Sequence, residues 1–122
     1  MPLTSRQWLY AVLSAAGLLL TWYFNLRFME ESGGAFSVVE FVHAGYANSA
    51  AASLGNDLAI GTLTFLVWSY AEARRLAIPH WWLFVVLTFG VAFACAFPLF
   101  LFVRDRRMGA GQEIRPDPSE AA

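Results

Sequence analysis

Residues 48–75 read NSAAASLGNDLAIGTLTFLVWSYAEARR, and the reading of this run decides the fold. Its uncharged part, Leu58 to Ala71, is too short alone to cross a bilayer, which takes about 20 residues at 1.5 Å each. Extension back through Ala50 reaches that length and carries Asn56 and Asp57 into the span. An acidic side chain near hydrocarbon is costly, so it needs a structural or functional reason. The run therefore reads as the central one of three membrane-spanning helices, with Asp57 as its sharpest functional clue.

Outward from this run, the flanking segments take their roles in turn. Asn48 is placed to cap the helix, with Ala50, Ala51 and Ala52 favouring its first turns. Before it, residues 36–47 put Glu40 and His43 on one side and Val38, Val42 and Tyr46 on the other. That pattern predicts a short interfacial or re-entrant helix. A full extra span there would bury Glu40, His43 and Asn48 within a dozen residues. Gln7 to Phe24 is apolar, with Trp8 and Tyr10 at one end and Trp22 and Tyr23 at the other, as at two membrane–water boundaries. Ser14-Ala15-Ala16 could pass for a signal-peptide cleavage site, but the apolar run continues through Leu18, Leu19 and Leu20. Ser14, Gly17, Thr21 and Asn25 form a small, polar face of the kind that meets another helix.

On the other side, Arg74, Arg75 and Pro79 close the central helix, and His80-Trp81-Trp82 opens a third apolar run, Leu83 to Val103. Gly90, Ala94 and Pro98 recur every four residues along it, and Pro98 leaves the Ala94 carbonyl without its usual partner. Arg104, Asp105, Arg106 and Arg107 mark its exit. The expected fold is all-α: an integral membrane three-helix bundle, with spans near 8–26, 50–73 and 82–103 in a single domain over 1–107. Residues 108–122 read as a disordered polar tail. Three spans place the termini on opposite faces. Arg6, Arg74 and Arg75 then oppose Arg27, Arg104, Arg106 and Arg107, a difference of one residue that leans slightly towards a cytoplasmic C-terminus.

Composition narrows the function classes. Of 122 residues, 58% are hydrophobic and 14% charged, against about a quarter charged in soluble domains. All eight basic residues are arginine and the formal net charge is −1, so no basic surface suited to nucleic acid is implied. A single cysteine, Cys95, excludes an internal disulfide and reads as a small packing residue. Glu40 and His43 resemble half of a two-metal helical motif, but no second half exists, so no metal site is expected. No phosphate loop, nucleophile–base pattern or cofactor signature is present.

The residues left for a ligand-binding or packing role are Asn25, Asn48, Asp57, Thr64, Glu72 and Arg75. On a helical wheel Ser53, Asp57, Gly61, Thr64, Trp68, Glu72 and Arg75 fall along one stripe, as a bundle interior or a ligand cleft requires. Asp57 and Glu72 are 15 residues apart, about 22 Å along the axis, less than the ~30 Å of hydrocarbon. With Glu72 solvated or paired beside Arg74 and Arg75, Asp57 lies shallowly in the opposite leaflet, within reach of Asn25. The structural reading makes Asp57 a hydrogen-bonded packing acid, with Asn25, Asn48 or backbone amides as its partners. The chemical reading makes it a ligand contact or a proton carrier with a pKa raised by burial.

Five separated segments, in order, carry a family likeness: Trp22-Tyr23-Phe24-Asn25, Phe41 to Asn48, Asp57-Leu58, Glu72-Ala73-Arg74-Arg75-Leu76 and Phe97 to Arg104. Together they resemble a bacterial family of small membrane proteins known as a domain of unknown function, number twenty-eight thirty-four. The likeness runs over about residues 8 to 107, and departs at Ser49, where the family commonly has proline. It implies a three-span membrane protein, in the bacterial inner membrane, and no established activity. Two expectations follow from the residues themselves. One is a non-enzymatic subunit surrounded by membrane lipid, packing into a homo-oligomer or larger membrane complex. The other is a site for a lipophilic ligand, such as a quinone, carotenoid or isoprenoid, served by Asp57.

Overall fold

The computed structural model describes residues 2–34 and 37–114, the side chains of 111–114 excepted. Those residues form five helices and no strand: α1 Ser5–Glu31, α2 Val38–Gly45, α3 Ser49–Arg75, α4 Trp82–Gly90 and α5 Phe93–Ile114. The all-α expectation holds among them, and so does a short helix between the first two long ones. Two helices, α1 and α3, are long and apolar enough to cross a membrane.

Local chemistry sets most of the helix ends. Thr4 opens α1 with a reciprocal cap, its hydroxyl accepting from the Gln7 amide while the Gln7 side chain accepts from the Thr4 amide, both at 3.2 Å. Ser37 caps α2 through the Glu40 amide. Asn48 caps α3 by accepting from the Ala51 amide at 2.8 Å. At the far end of α3, the Ile78 amide donates to the Ala73 carbonyl and the Ala77 amide to the Arg74 carbonyl. This is a Schellman closure, but alanine, not glycine, takes its left-handed position, with φ 54° at Ala77.

The helix expected over 82–103 is not continuous. It breaks at Val91–Ala92, where the Leu87 carbonyl takes both the Val91 and the Ala92 amides. Gly90 and β-branched Val91 are weak helix formers at that point. The chain then reverses. Phe84 and Phe100 would lie about 24 Å apart on one straight helix, yet their rings are 5.1 Å apart. So α4 and α5 form a tight hairpin. Residues 108–114, expected in a disordered tail, continue α5; the rest of that tail lies outside the described residues.

Pairings along the helices give their directions. Arg6 and Gln7 meet Asp105, and Ser14 meets Cys95, so α1 and α5 run antiparallel. Phe65 stacks on Phe97, Trp68 packs on Phe100 and Glu72 pairs with Arg104, so α3 and α5 run parallel. The core, Phe65, Ala73, Ile78, Phe84, Ala96 and Phe100, lies between α3, α4 and α5. Therefore α5, not α3, is the element on which the others pack. The starts of α1 and α4 and the ends of α3 and α5 share one end of the molecule. The described chain begins and finishes at that end, where three spans would have separated the termini.

Candidate functional site

The shared end gathers most of the charge. Asp105, only 8% exposed, accepts from Arg6 Nη2 at 2.8 Å and from Gln7 Nε2 at 3.3 Å, tying α1 to α5. Glu72, with a side chain 13% exposed, takes both Nε and Nη2 of Arg75, at 2.8 and 2.9 Å, and Nε of Arg104 at 2.5 Å. The Arg104 guanidinium also lies 5.5 Å from the Trp68 ring centre. Arg107 donates to the carbonyls of Leu76 and Ala77, both at 3.0 Å, and so closes on the left-handed turn after α3. Arg74 donates to the Tyr70 hydroxyl at 3.0 Å. Beneath them Ser69, fully buried, accepts from Trp81 Nε1 at 2.9 Å and donates to the Leu66 carbonyl.

Of the six residues singled out in the sequence, only Glu72 and Arg75 meet. The partner that makes them a long-range tie, Arg104, is absent from the helical-wheel stripe because it lies on another helix. Asn48 is occupied as a cap. Thr64 is exposed and turns its hydroxyl back to the Ile60 carbonyl at 2.8 Å. Asn25 is half-buried and makes no side-chain hydrogen bond among the described residues. Asp57 is exposed and has no partner among them, so the packing bond expected between Asn25 and Asp57 does not form. The buried face of α3 is Phe65, Ser69 and Ala73, displaced from the predicted stripe.

From the sequence Asp105 was read only as part of the exit of the third apolar run, with no partner assigned. The available signal was a single acid within the run Arg104 to Arg107, opposite the Arg6-Gln7 pair that opens α1. Sequence reasoning also treated Gly90 and Ala94 alike. Gly90 faces open space, whereas the Ala94 carbonyl freed by Pro98 presses on Gly17. The adjacent Cys95 carbonyl accepts from Ser14 Oγ at 2.9 Å. Among the described residues no group of three His, Cys, Asp or Glu side chains could hold a metal.

Residues 9–106 match the family described as "Protein of unknown function DUF2834". The chain belongs to that family. The match spans α1 through most of α5, and so includes both ion-pair clusters except Arg6 and Gln7. No curated protein and no solved structure matches the chain. The family description names no activity, and the geometry here is one of guanidiniums and carboxylates in tight pairs. Such an end can hold helices together and present spare N–H donors to an oxyanion. No nucleophile–base pair is formed among the described residues.

Proposed function

We propose that this family member is a non-enzymatic integral membrane subunit that assembles with a second copy or a larger membrane complex. In this reading α1 and α3 cross the bilayer, and the α4–α5 hairpin dips in from the arginine end. From Phe93 to Arg104 is about 16 Å of helix, roughly half the hydrocarbon thickness. The turn at Val91–Ala92 then lies near mid-depth, beside Gly17 at the middle of α1.

One observation carries this reading. The carbonyls of Thr88, Phe89 and Gly90 pass the end of α4 without a backbone partner among the described residues, and Phe89 and Gly90 are exposed. Non-helical backbone at membrane depth is tolerated only where protein covers it or water reaches it. Below the turn, Leu54 and Leu58 continue the packed face of α3 with no helix against them. A neighbouring subunit supplies both needs.

The test is a single cysteine at Gly90 in a Cys95→Ser background, oxidised in native membranes. Cross-linking to a second copy or a partner identified by mass spectrometry supports assembly. A chain that stays monomeric and uncross-linked in lipid nanodiscs refutes it.

The second reading, a site for a lipophilic quinone, carotenoid or isoprenoid, is favoured by Asp57, an exposed ionisable group without a partner among the described residues. Pigment spectra and lipid extracts of natively purified protein separate it from the first.

A further inference from the structure

Six of the seven arginines whose side chains are described lie at one end: Arg6 at the start of α1, Arg74 and Arg75 at the end of α3, and Arg104, Arg106 and Arg107 on α5. Only Arg27 lies at the other. Two carboxylates share this end: Asp105 holds Arg6, and Glu72 holds Arg75 and Arg104, while Arg74 and Arg107 are held by neutral groups. We infer that this end is a binding surface for the phosphate group of anionic phospholipids. The inference rests on the membrane reading above and adds a partner that reading does not name.

Arg74 and Arg107 define the surface. Among the described side chains neither holds a carboxylate: Arg74 is fixed by the Tyr70 hydroxyl and ring, and Arg107 by two backbone carbonyls. The Ala77 amide bonds the Arg74 carbonyl while the Ala77 carbonyl accepts from Arg107, so Arg107 of α5 is bonded to the turn that closes α3 just after Arg74. A guanidinium has five N–H donors. These bonds use two on Arg107 and one on Arg74, leaving donors on both for an oxyanion. Held by neutral groups, both keep full charge and a defined orientation, which suits bidentate phosphate recognition.

The apolar surroundings specify lipid over free phosphate. Tyr70 and Trp82 stand exposed beside the same turn, and amphipathic rings at that level mark a headgroup boundary. A phospholipid places its phosphate on the arginines and its acyl chains along the rings. Inorganic phosphate uses only half of that surface.

The test uses the full chain in nanodiscs of phosphatidylcholine, with and without phosphatidylglycerol. Bound lipid is read by native mass spectrometry and thermal stability by tryptophan fluorescence. Preferential retention of phosphatidylglycerol, weakened by added salt, is expected. Arg74→Gln should lower that preference about fivefold, and Arg107→Gln similarly, at about 1 kcal/mol for each arginine near an anionic surface. Arg27→Gln should leave it unchanged. Because Arg107→Gln also loosens the turn after α3, the Arg74 and Arg27 variants decide the matter. Equal retention of both lipids, or equal loss in Arg74→Gln and Arg27→Gln, overturns the inference. So does inorganic phosphate stabilising the protein in neutral nanodiscs as well as phosphatidylglycerol does. A chain that never inserts, and is extracted by carbonate, refutes the membrane reading instead.

Discussion

Gly17→Ala should be the most informative single-atom change in the molecule. A Cβ built at Gly17 meets the Ala94 carbonyl oxygen at 2.3 Å, its carbon at 2.5 Å and the Ala94 Cβ at 3.0 Å. The obstacle is backbone, which cannot swing aside as a side chain can. To restore ordinary contact, α1 must move from α5 by about 1 Å, and overpacking of that kind costs about 1–3 kcal/mol. The movement also stretches the 2.9 Å bond from Ser14 Oγ to the Cys95 carbonyl, worth about 1 kcal/mol. Against these, alanine is favoured over glycine inside a helix by up to about 1 kcal/mol. Gly61→Ala removes that gain from the comparison, because Gly61 has nothing within 4 Å of its added Cβ. Gly17→Ala should therefore be about 2–4 kcal/mol less stable than Gly61→Ala. Denaturation in mixed detergent micelles, followed by tryptophan fluorescence, measures the difference. Equal stability of the two variants would refute the close approach of α1 to α5 at Ala94.

Four further outcomes are expected. Asp105→Leu takes the acceptor from the buried Gln7 amide group and releases the exposed Arg6, and should cost about 1–3 kcal/mol for the one unpaired buried group, measured in the same denaturation assay. Ala77→Gly relieves a left-handed alanine and, after the greater chain entropy of glycine, should stabilise by about 0.5–1 kcal/mol. Single cysteines at Thr4, Ala77 and Ala110, in a Cys95→Ser background, should label from one side of the membrane and one at Gly33 from the other. Labelling of Thr4 and Ala110 from opposite sides would restore three full spans. Asp57→Asn should fold as the wild type, since no bond is lost, and should complement a deletion strain if the protein is a packing subunit. Normal folding without complementation would move the case to the ligand reading.

Helix ends were the most legible part of this chain. Asn48 before three alanines and Pro79 after paired arginines are local signals, and local signals survive folding. The small face of α1 was legible too, and Ser14 and Gly17 do meet α5. The hairpin was not. Leu83 to Val103 is apolar throughout, and uniform hydropathy carries no period from which a reversal could be read. Ring contacts such as Phe84 with Phe100 choose the folded arrangement, and they join residues 16 positions apart on a chain rich in phenylalanine. The candidate site suffered from the same limit. A wheel drawn on α3 shows which residues share a face, but which face is buried depends on α5. Once α5 covers Phe65, Ser69 and Ala73, Asp57 turns out to the side and Glu72 finds Arg104.

Charge offers a check on the hairpin that does not depend on ring contacts. With three spans, the arginines whose side chains are described divide into three against four, and a membrane chain with that division has almost no orienting signal. With α4 and α5 folded back on each other, the same seven residues sort six against one, while Glu30, Glu31 and Glu40 gather beside Arg27 at the other end. Nothing in the packing of Phe84 on Phe100 requires the arginines to sort in this way. On the membrane reading proposed above, a half-depth hairpin accounts for both patterns, and the positive-inside rule would put the arginine end in the cytoplasm. A reporter fused after Ala110 should accordingly be active only if it works in the cytoplasm. Activity of a reporter that requires export, fused at the same point, would count against both the hairpin and the orientation.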